Sequence, residues 1–149
     1  MTSELFVKTY YPLALKSEKD TGISAAFTMA QASLESGWGT QVTGDFNFFG
    51  IKADPSWKGE SKLKTTHEVV HGKTITILDH FRSYPDAAAG FTDHAQFFLT
   101  NKRYSEALLV KSDPNLFADE IAKAGYATDP TYAKTLRSVI KSVEKRWQP

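Results

Sequence analysis

Apolar residues recur along this chain with two different periods. Over most of its length the spacing is helical, and in one central stretch it falls to two, the alternation of a strand. Thr2 to Lys19 is predicted to be helical, with Leu5, Tyr10, Leu13 and Leu15 facing inward and Pro12 as a point of kinking or splitting. Thr21-Gly22 is a break. The segment that follows, Ser24 to Gly39, is the one around which the rest is organised. Ser24 suits an N-cap, because its hydroxyl can accept from a free N–H of the first turn. Ala25, Ala26, Phe27, Met29, Ala30, Ala32 and Leu34 then lie on every side, the pattern of a buried helix. Gly37 suits the left-handed position that ends it.

Asp45 to Lys58 has no period but holds Phe46, Phe48, Phe49, Ile51 and Trp57, too apolar for an exposed linker and typical of a functional loop. Residues 61–82 read as a β-hairpin turning at His71-Gly72-Lys73. Thr66, Glu68 and Val70 share one face, and Leu63, Thr65, His67 and Val69 the other. A lone hairpin is marginal in water, so this one is expected to lean on the helical body. Asp86 to Asn101 returns to helical spacing through Ala88, Phe91, Ala95 and Phe98, with Asp93 on the opposite face. Ser105 to Lys111 suggests a short helix. Asp113-Pro114 and Asp129-Pro130 read as N-cap and N1 pairs opening two further helices. Phe117 and Ile121 point inward from the first; Tyr132, Leu136, Val139, Ile140, Val143 and Trp147 point inward from the second. The predicted class is α+β, a helical bundle with one inserted hairpin at about 60–83, in a single domain over residues 1–149 without repeat or linker.

The central helix ends in Glu35-Ser36-Gly37-Trp38-Gly39. A carboxylate in the last turn of a buried helix is out of place unless paired or functional. Apolar burial and the negative end of the helix dipole would both raise its pKa, which is what a general acid near neutral pH requires. A solvated Glu35 beside a core Trp38 is the plainer alternative on these residues alone.

Composition narrows the function. Of 149 residues, 41% are apolar and 23% charged, and the formal net charge is +1, ordinary for a globular domain and no basis for nucleic-acid binding. Without cysteine there is no disulfide, thiolate metal site or cysteine nucleophile. His67, His71, His80 and His94 make no helical zinc pair, and neither metal nor other cofactor is expected. The N-terminus lacks a basic region followed by an apolar run, so it is not a signal peptide, and no window approaches the ~20 apolar residues of a membrane span. Aromatic residues reach 13%, enough to supply a stacking surface for sugars.

The order of motifs resembles a known family. Ala30 to Gly39 (AQASLESGWG), Asn47 to Ala53 (NFFGIKA), Trp57-Lys58-Gly59, Thr65 to Glu68 (TTHE), Phe81 to Tyr84 (FRSY), Asn101 to Tyr104 (NKRY) and Ala124 to Ala133 (AGYATDPTYA) are similar to the bacterial glucosaminidase family of peptidoglycan hydrolases, glycoside hydrolase family 73, which includes the hydrolase domain of the flagellar rod protein. The likeness spans roughly residues 20 to 145.

This resemblance implies a lysozyme-like helical lobe and a small β-lobe with a cleft between them. It implies an endo-β-N-acetylglucosaminidase that cleaves the β-1,4 bond after N-acetylglucosamine in the glycan strand of peptidoglycan. The family's catalytic Glu falls on Glu35, its second carboxylate on Glu68, a further Asp on Asp93 and its active-site Tyr on Tyr126. Trp38, Asn47, Phe48 and Trp57 are candidates for substrate contact, with loop anchoring as the other reading of the aromatic ones. Cleavage needs an acid for the leaving oxygen and a second group for the developing oxocarbenium; a water activated by a carboxylate, a covalent route and attack by the substrate's own acetamido oxygen all stay open.

A muramidase or lytic transglycosylase of the same superfamily and a non-catalytic glycan-binding module are the alternatives. The expected partner is the peptidoglycan glycan strand, and the expected state a monomer. A wall hydrolase without a signal suits a phage or prophage endolysin, held in the cytoplasm until a holin-type pore lets it reach the cell wall; a secreted effector and a domain cut from a larger protein are the other readings.

Overall fold

In the computed structural model, which describes residues 1–148, the chain runs α1 (Ser3–Thr21), α2 (Ala25–Ser36), β1 (Ser61–Val70), β2 (Lys73–Arg82), α3 (Ala87–Thr100), α4 (Pro114–Lys123) and α5 (Tyr132–Arg146), with 3₁₀ turns at Lys102–Tyr104 and Ala107–Val110 before α4. The class is α+β, and α2 is the centre, packed against α1, α4 and α5. Its beginning and end are set locally. Ser24 Oγ accepts from the Phe27 N–H at 3.2 Å, and Gly37, at φ 55°, closes the helix with its N–H on the Ser33 carbonyl. Between these ends Phe27, Met29, Ala30 and Ala32 are fully buried, and so are the polar Thr28, Gln31 and Ser33.

α1 is a single helix through Pro12. Both Pro12 and Lys8, whose carbonyl the proline ring leaves without a helical partner, lie on the exposed side, where water can take the missing bond. The predicted inward face is corrected by a rotation about the axis: Phe6, Val7, Tyr11 and Ala14 are buried, Tyr10 and Leu13 flank them, and Leu5 and Leu15 are 50% and 40% exposed. In α3, Phe91, Ala95 and Phe98 face the core as predicted, while Ala88 is exposed. The short helix expected over Ser105 to Lys111 is the 3₁₀ turn Ala107–Val110. The Asp113-Pro114 start is as predicted, with Asp113 Oδ1 accepting from the N–H groups of Asn115 and Leu116 at 3.0 Å. The Asp129-Pro130 start is corrected. Asp129 folds a turn back on itself, accepting from the N–H and hydroxyl of Thr131 at 2.8 Å, and α5 begins only at Tyr132, whose ring is thereby driven into the core.

The loop between α2 and the hairpin is irregular and ordered by one side chain. Asn47 Nδ2 donates to the carbonyls of Ile51 and Arg82, both at 2.9 Å, and its Oδ1 accepts from the N–H groups of Phe49 and Ile51. The Ala53 N–H donates to the His80 carbonyl, and the Arg82 N–H to the Ile51 carbonyl, so the loop pairs with the base of β2. The hairpin is in register from Ser61↔Arg82 to Val70↔Lys73, and its turn residues His71 and Gly72 are both left-handed, at φ 50° and 77°, the twist that matches a two-residue hairpin. The hairpin does not lean on the helical body along its length. Phe81 and Arg82 bury its base, Leu63 and Leu78 are 51% and 63% exposed, and near the tip the Val69 N–H donates to Thr128 Oγ1 at 3.2 Å. A gap therefore lies between hairpin and bundle, bounded by the buried base at one end and by this bond at the other.

Candidate active site

That gap is a cleft of about 420 Å³. Glu35 and Tyr126 line its floor, Phe49 to Lys52 of the ordered loop one wall, Thr66 to Glu68 of β1 the other, and Phe97 of α3 closes the far side. The sequence-predicted Glu35, Glu68 and Tyr126 thus meet in one cavity.

Glu35 sits in the last turn of α2. Its Oε1 accepts from the Tyr132 hydroxyl at 2.9 Å. Its Oε2 lies on the Gly50 side, where a Cβ added to that glycine would stand 3.7 Å away. Burial raises the Glu35 pKa, and the Tyr132 bond opposes the rise without cancelling it. The direction is the one expected for an acid, and its cause is burial.

Behind Glu35 a chain of polar groups runs into the core. The Tyr132 oxygen accepts from Gln31 Nε2 at 2.9 Å, and Gln31 Oε1 lies 2.6 Å from His94 Nε2. His94 is buried among Phe27, Phe49 and Phe98, its ring stacked on Phe49 at 3.9 Å. Burial pushes its pKa down to about 3, so the imidazole is neutral. Tyr126 packs its ring against Tyr132 and Phe98, at 5.4 and 5.7 Å, and burial followed by the charge of Glu35 holds its phenol well above the usual range.

Glu68 faces the cleft from β1 and is salt-bridged to Lys52 of the opposite wall, whose ammonium also reaches Asp79 Oδ2 at 3.3 Å. Burial works against the Lys52 charge, but the two carboxylates prevail and keep its pKa above normal.

The remaining predicted residues lie elsewhere. Asp93 is outside the cleft lining, where its Oδ2 accepts from Arg82 Nη1 at 2.9 Å and from the Tyr84 hydroxyl at 2.5 Å. This cluster locks the base of the hairpin to α3. Asn47 is fully used in ordering its loop. Phe48 is a core residue, within 5.4 Å of Phe6 and 4.8 Å of Tyr10 by ring centroids. Trp57 donates from Nε1 to the Glu60 carbonyl, with the Arg82 guanidinium over its ring at 4.8 Å. Trp38, left-handed at φ 57°, lies under the Arg146 guanidinium at 5.2 Å. Residue type alone marks an aromatic ring for sugar contact or anchoring, whereas which ring faces the cleft depends on the path of the loop.

Sequence reasoning missed Tyr132, Gln31, His94, Lys52 and Phe97. Gln31 had a readable signal: a polar residue one turn before Glu35, on the same face of a helix otherwise apolar there. Tyr132 and Phe97 resembled core residues, and Lys52 had no local mark. Among the described residues, no cluster of three or more His, Cys, Asp or Glu is placed to hold a metal ion, and no helix is long and apolar enough to cross a membrane.

Comparison with known proteins gives the same picture. A family model for glucosaminidase, described as mannosyl-glycoprotein endo-beta-N-acetylglucosaminidase, matches residues 11–145. The chain is 34% identical over 149 residues to the peptidoglycan hydrolase FlgJ of Pseudomonas aeruginosa, covering 96% of this chain and 37% of that protein. It is 38% identical over 146 residues to the FlgJ of Vibrio parahaemolyticus, covering 95% of this chain and 47% of that one. The chain therefore spans less than half the length of these relatives. The crystal structure of a peptidoglycan hydrolase mutant from Sphingomonas sp. A1 superposes with a TM-score of 0.86 at 33% identity, covering 96% of this chain and 97% of that one.

Proposed function

The chain belongs to the glucosaminidase family, and from that premise we propose that it hydrolyses the β-1,4 bond after N-acetylglucosamine in peptidoglycan glycan strands, with Glu35 as the general acid. The observation that carries the assignment is the asymmetric setting of the Glu35 carboxyl. One oxygen is tied to Tyr132 at the back, the other lies toward Gly50 in a cleft of about 420 Å³, and burial raises the pKa. Protonated Oε2 donates to the leaving glycosidic oxygen as the C–O bond breaks. Glu68, held by Lys52 on the hairpin wall, is the second carboxylate, serving the oxocarbenium or the attacking water. Tyr126, on the cleft floor with Glu35, serves the acetamido group or that water in this reading. In this reading Asp93 supports the site through Arg82, and the enzyme works as a monomer without a cofactor. Use as a phage-type lysis enzyme is part of the proposal.

The test is digestion of purified peptidoglycan, borohydride reduction of the new ends and identification of the terminal sugar by mass spectrometry. Reduced N-acetylglucosamine supports the proposal. Reduced muramic acid would make the enzyme a muramidase, 1,6-anhydromuramic acid a lytic transglycosylase, and no new ends a binding module. Glu35→Gln should abolish clearing of a wall suspension, since general acid help is worth ~10²–10⁴-fold. A well-folded mutant that kept more than about a tenth of the rate would remove Glu35 from the role.

A further inference from the structure

We propose that His94 and Gln31 are positioning residues that confine the acidic proton of Glu35 to Oε2, the oxygen on the cleft side. The inference rests on the reading of Glu35 as the acid and adds what decides which of its two oxygens carries the proton.

The chain of donors is fixed from its buried end. A neutral imidazole has one N–H. His94 Nδ1 has no partner and is enclosed by aromatic rings, while Nε2 faces Gln31 Oε1 at 2.6 Å. A hydrogen on Nδ1 would be an orphaned buried donor, the rarer and costlier kind of unpaired group. The hydrogen therefore sits on Nε2 and donates to Gln31. That sets the Gln31 amide with its oxygen toward His94 and its NH₂ toward Tyr132. The Tyr132 oxygen accepts from this NH₂ at 2.9 Å, so its single hydrogen has one acceptor left, Glu35 Oε1, also at 2.9 Å. A proton on Oε1 would leave the Tyr132 hydrogen on a hydroxyl-type oxygen, a poorer acceptor than the carbonyl-type one, and Tyr132 could not turn to Gln31, which offers only hydrogens on that side. Oε2 is the site the donor chain favours.

The arrangement joins α2, α3 and α5 through side chains buried below the cleft floor. Around His94 the packed groups are apolar rings and Gln31. The titratable or charged groups that face Glu35 are Tyr132 from α5, Tyr126 from the preceding loop, Lys52 and Asp54 from the other loop, and His67 and Glu68 from β1.

Several measurements test the proposal. In the unmodified protein, long-range ¹H–¹⁵N spectra read the His94 tautomer: a hydrogen on Nε2 and none on Nδ1, unchanged over about pH 5–8, is expected. A hydrogen on Nδ1 would overturn the proposal whatever the variants do. Gln31→Glu is close to isosteric, but its carboxylate accepts from Tyr132 and draws the donor away from Glu35. Its kcat should fall about tenfold or more. The basic limb of kcat/KM against pH should move upward, because the Glu35 carboxylate has lost a stabilising donor and gained a like charge one turn away, so the uncharged His94→Leu is the variant that isolates the lost donor. His94→Leu should behave alike, and His94→Gln, which restores an N–H at similar reach, should recover most of the loss. If folded Gln31→Glu and His94→Leu both keep the wild-type basic limb while Tyr132→Phe moves it, His94 and Gln31 only fill the core and the proposal fails. An active Glu35→Gln enzyme would instead remove the acid assignment itself, a separate failure.

Discussion

Lys52 and Glu68 join the two walls of the cleft. The ammonium, on the ordered loop, bridges Glu68 of β1 and Asp79 of β2, so this salt-linked group gathers both strands of the hairpin onto the bundle side. The three side chains are 29–42% exposed, where ion pairs contribute little to stability, about 0–1 kcal/mol, and are screened by salt. Lys52→Ala is therefore expected to leave the melting temperature nearly unchanged while speeding amide hydrogen exchange across β1 and β2 and lowering turnover several-fold. Unchanged exchange in the hairpin would show that its base alone holds it.

Glu68 and Asp93 should separate cleanly. Glu68→Gln is expected to lower kcat with substrate binding kept and stability intact. Asp93→Asn removes the charge that receives Arg82 and Tyr84, at a cost of about 1.5–3 kcal/mol in stability, with the kcat of the folded fraction close to wild type. Chemical denaturation and one soluble glycan substrate suffice. An inactive but stable Asp93→Asn beside a normal Glu68→Gln would reverse the two roles.

The raised pKa of Glu35 has a consequence for stability. A carboxyl whose folded pKa lies above its unfolded value loses its proton first in the unfolded chain. Its contribution is intact below the unfolded pKa, near 4.5, and is lost as pH rises through the folded one. Glu35→Gln removes that penalty. The variant should melt above wild type at pH 7, and the gap should close towards pH 4. A gap that is constant with pH would mean that Glu35 carries no such burden.

Two glycines should respond differently to alanine. A Cβ on Gly90 would stand 2.6 Å from the Phe46 carbonyl oxygen, so Gly90→Ala must push α3 off the loop and should cost about 1–3 kcal/mol of global stability. Gly72 has open space around it but φ +77°, and Gly72→Ala should fray only the hairpin tip, seen in hydrogen exchange rather than in the melting curve. Equal global losses would contradict this division between body and hairpin.

The proposed lysis role is tested in cells. Expressed in the cytoplasm of a bacterium, the protein should leave the culture intact; fused to an export signal, or after the inner membrane is permeabilised, it should lyse it. Lysis from the cytoplasm alone, or none after export, would contradict the role.

What could be read from the sequence was what nearby residues decide. Ser24, Gly37, Asp113 and the His71-Gly72 turn act within a few residues of themselves, and each ends or begins an element where its chemistry predicts. The side a residue faces was harder. Leu5 and Leu15 are apolar enough for the core, but Phe6 and Val7 take it because α2 and α3 meet that side of α1. Residue type leaves Phe48 and Trp57 open between sugar contact and loop anchoring, and it is the Asn47-centred loop that turns Phe49 and Gly50 to the cleft. Glu35 was legible because an acid among apolar residues is a local contradiction. Tyr132, which holds it, was not, since nothing within α5 distinguishes a core tyrosine from one whose hydroxyl serves another helix.

The bond from the Val69 N–H to Thr128 Oγ1 closes the cleft into a ring, with Glu35 on its inner circumference. A polymer with a free end can be threaded through a ring. A strand of a cross-linked mesh has none within reach and can enter only sideways, through a gate. One backbone-to-hydroxyl hydrogen bond, worth about 0.5–1.5 kcal/mol, is a gate that thermal motion opens readily. For the proposed substrate, the wall's topology would thus set a limit on how firmly the cleft can close: a tighter clasp would grip loose chains better and lose entry to the intact mesh.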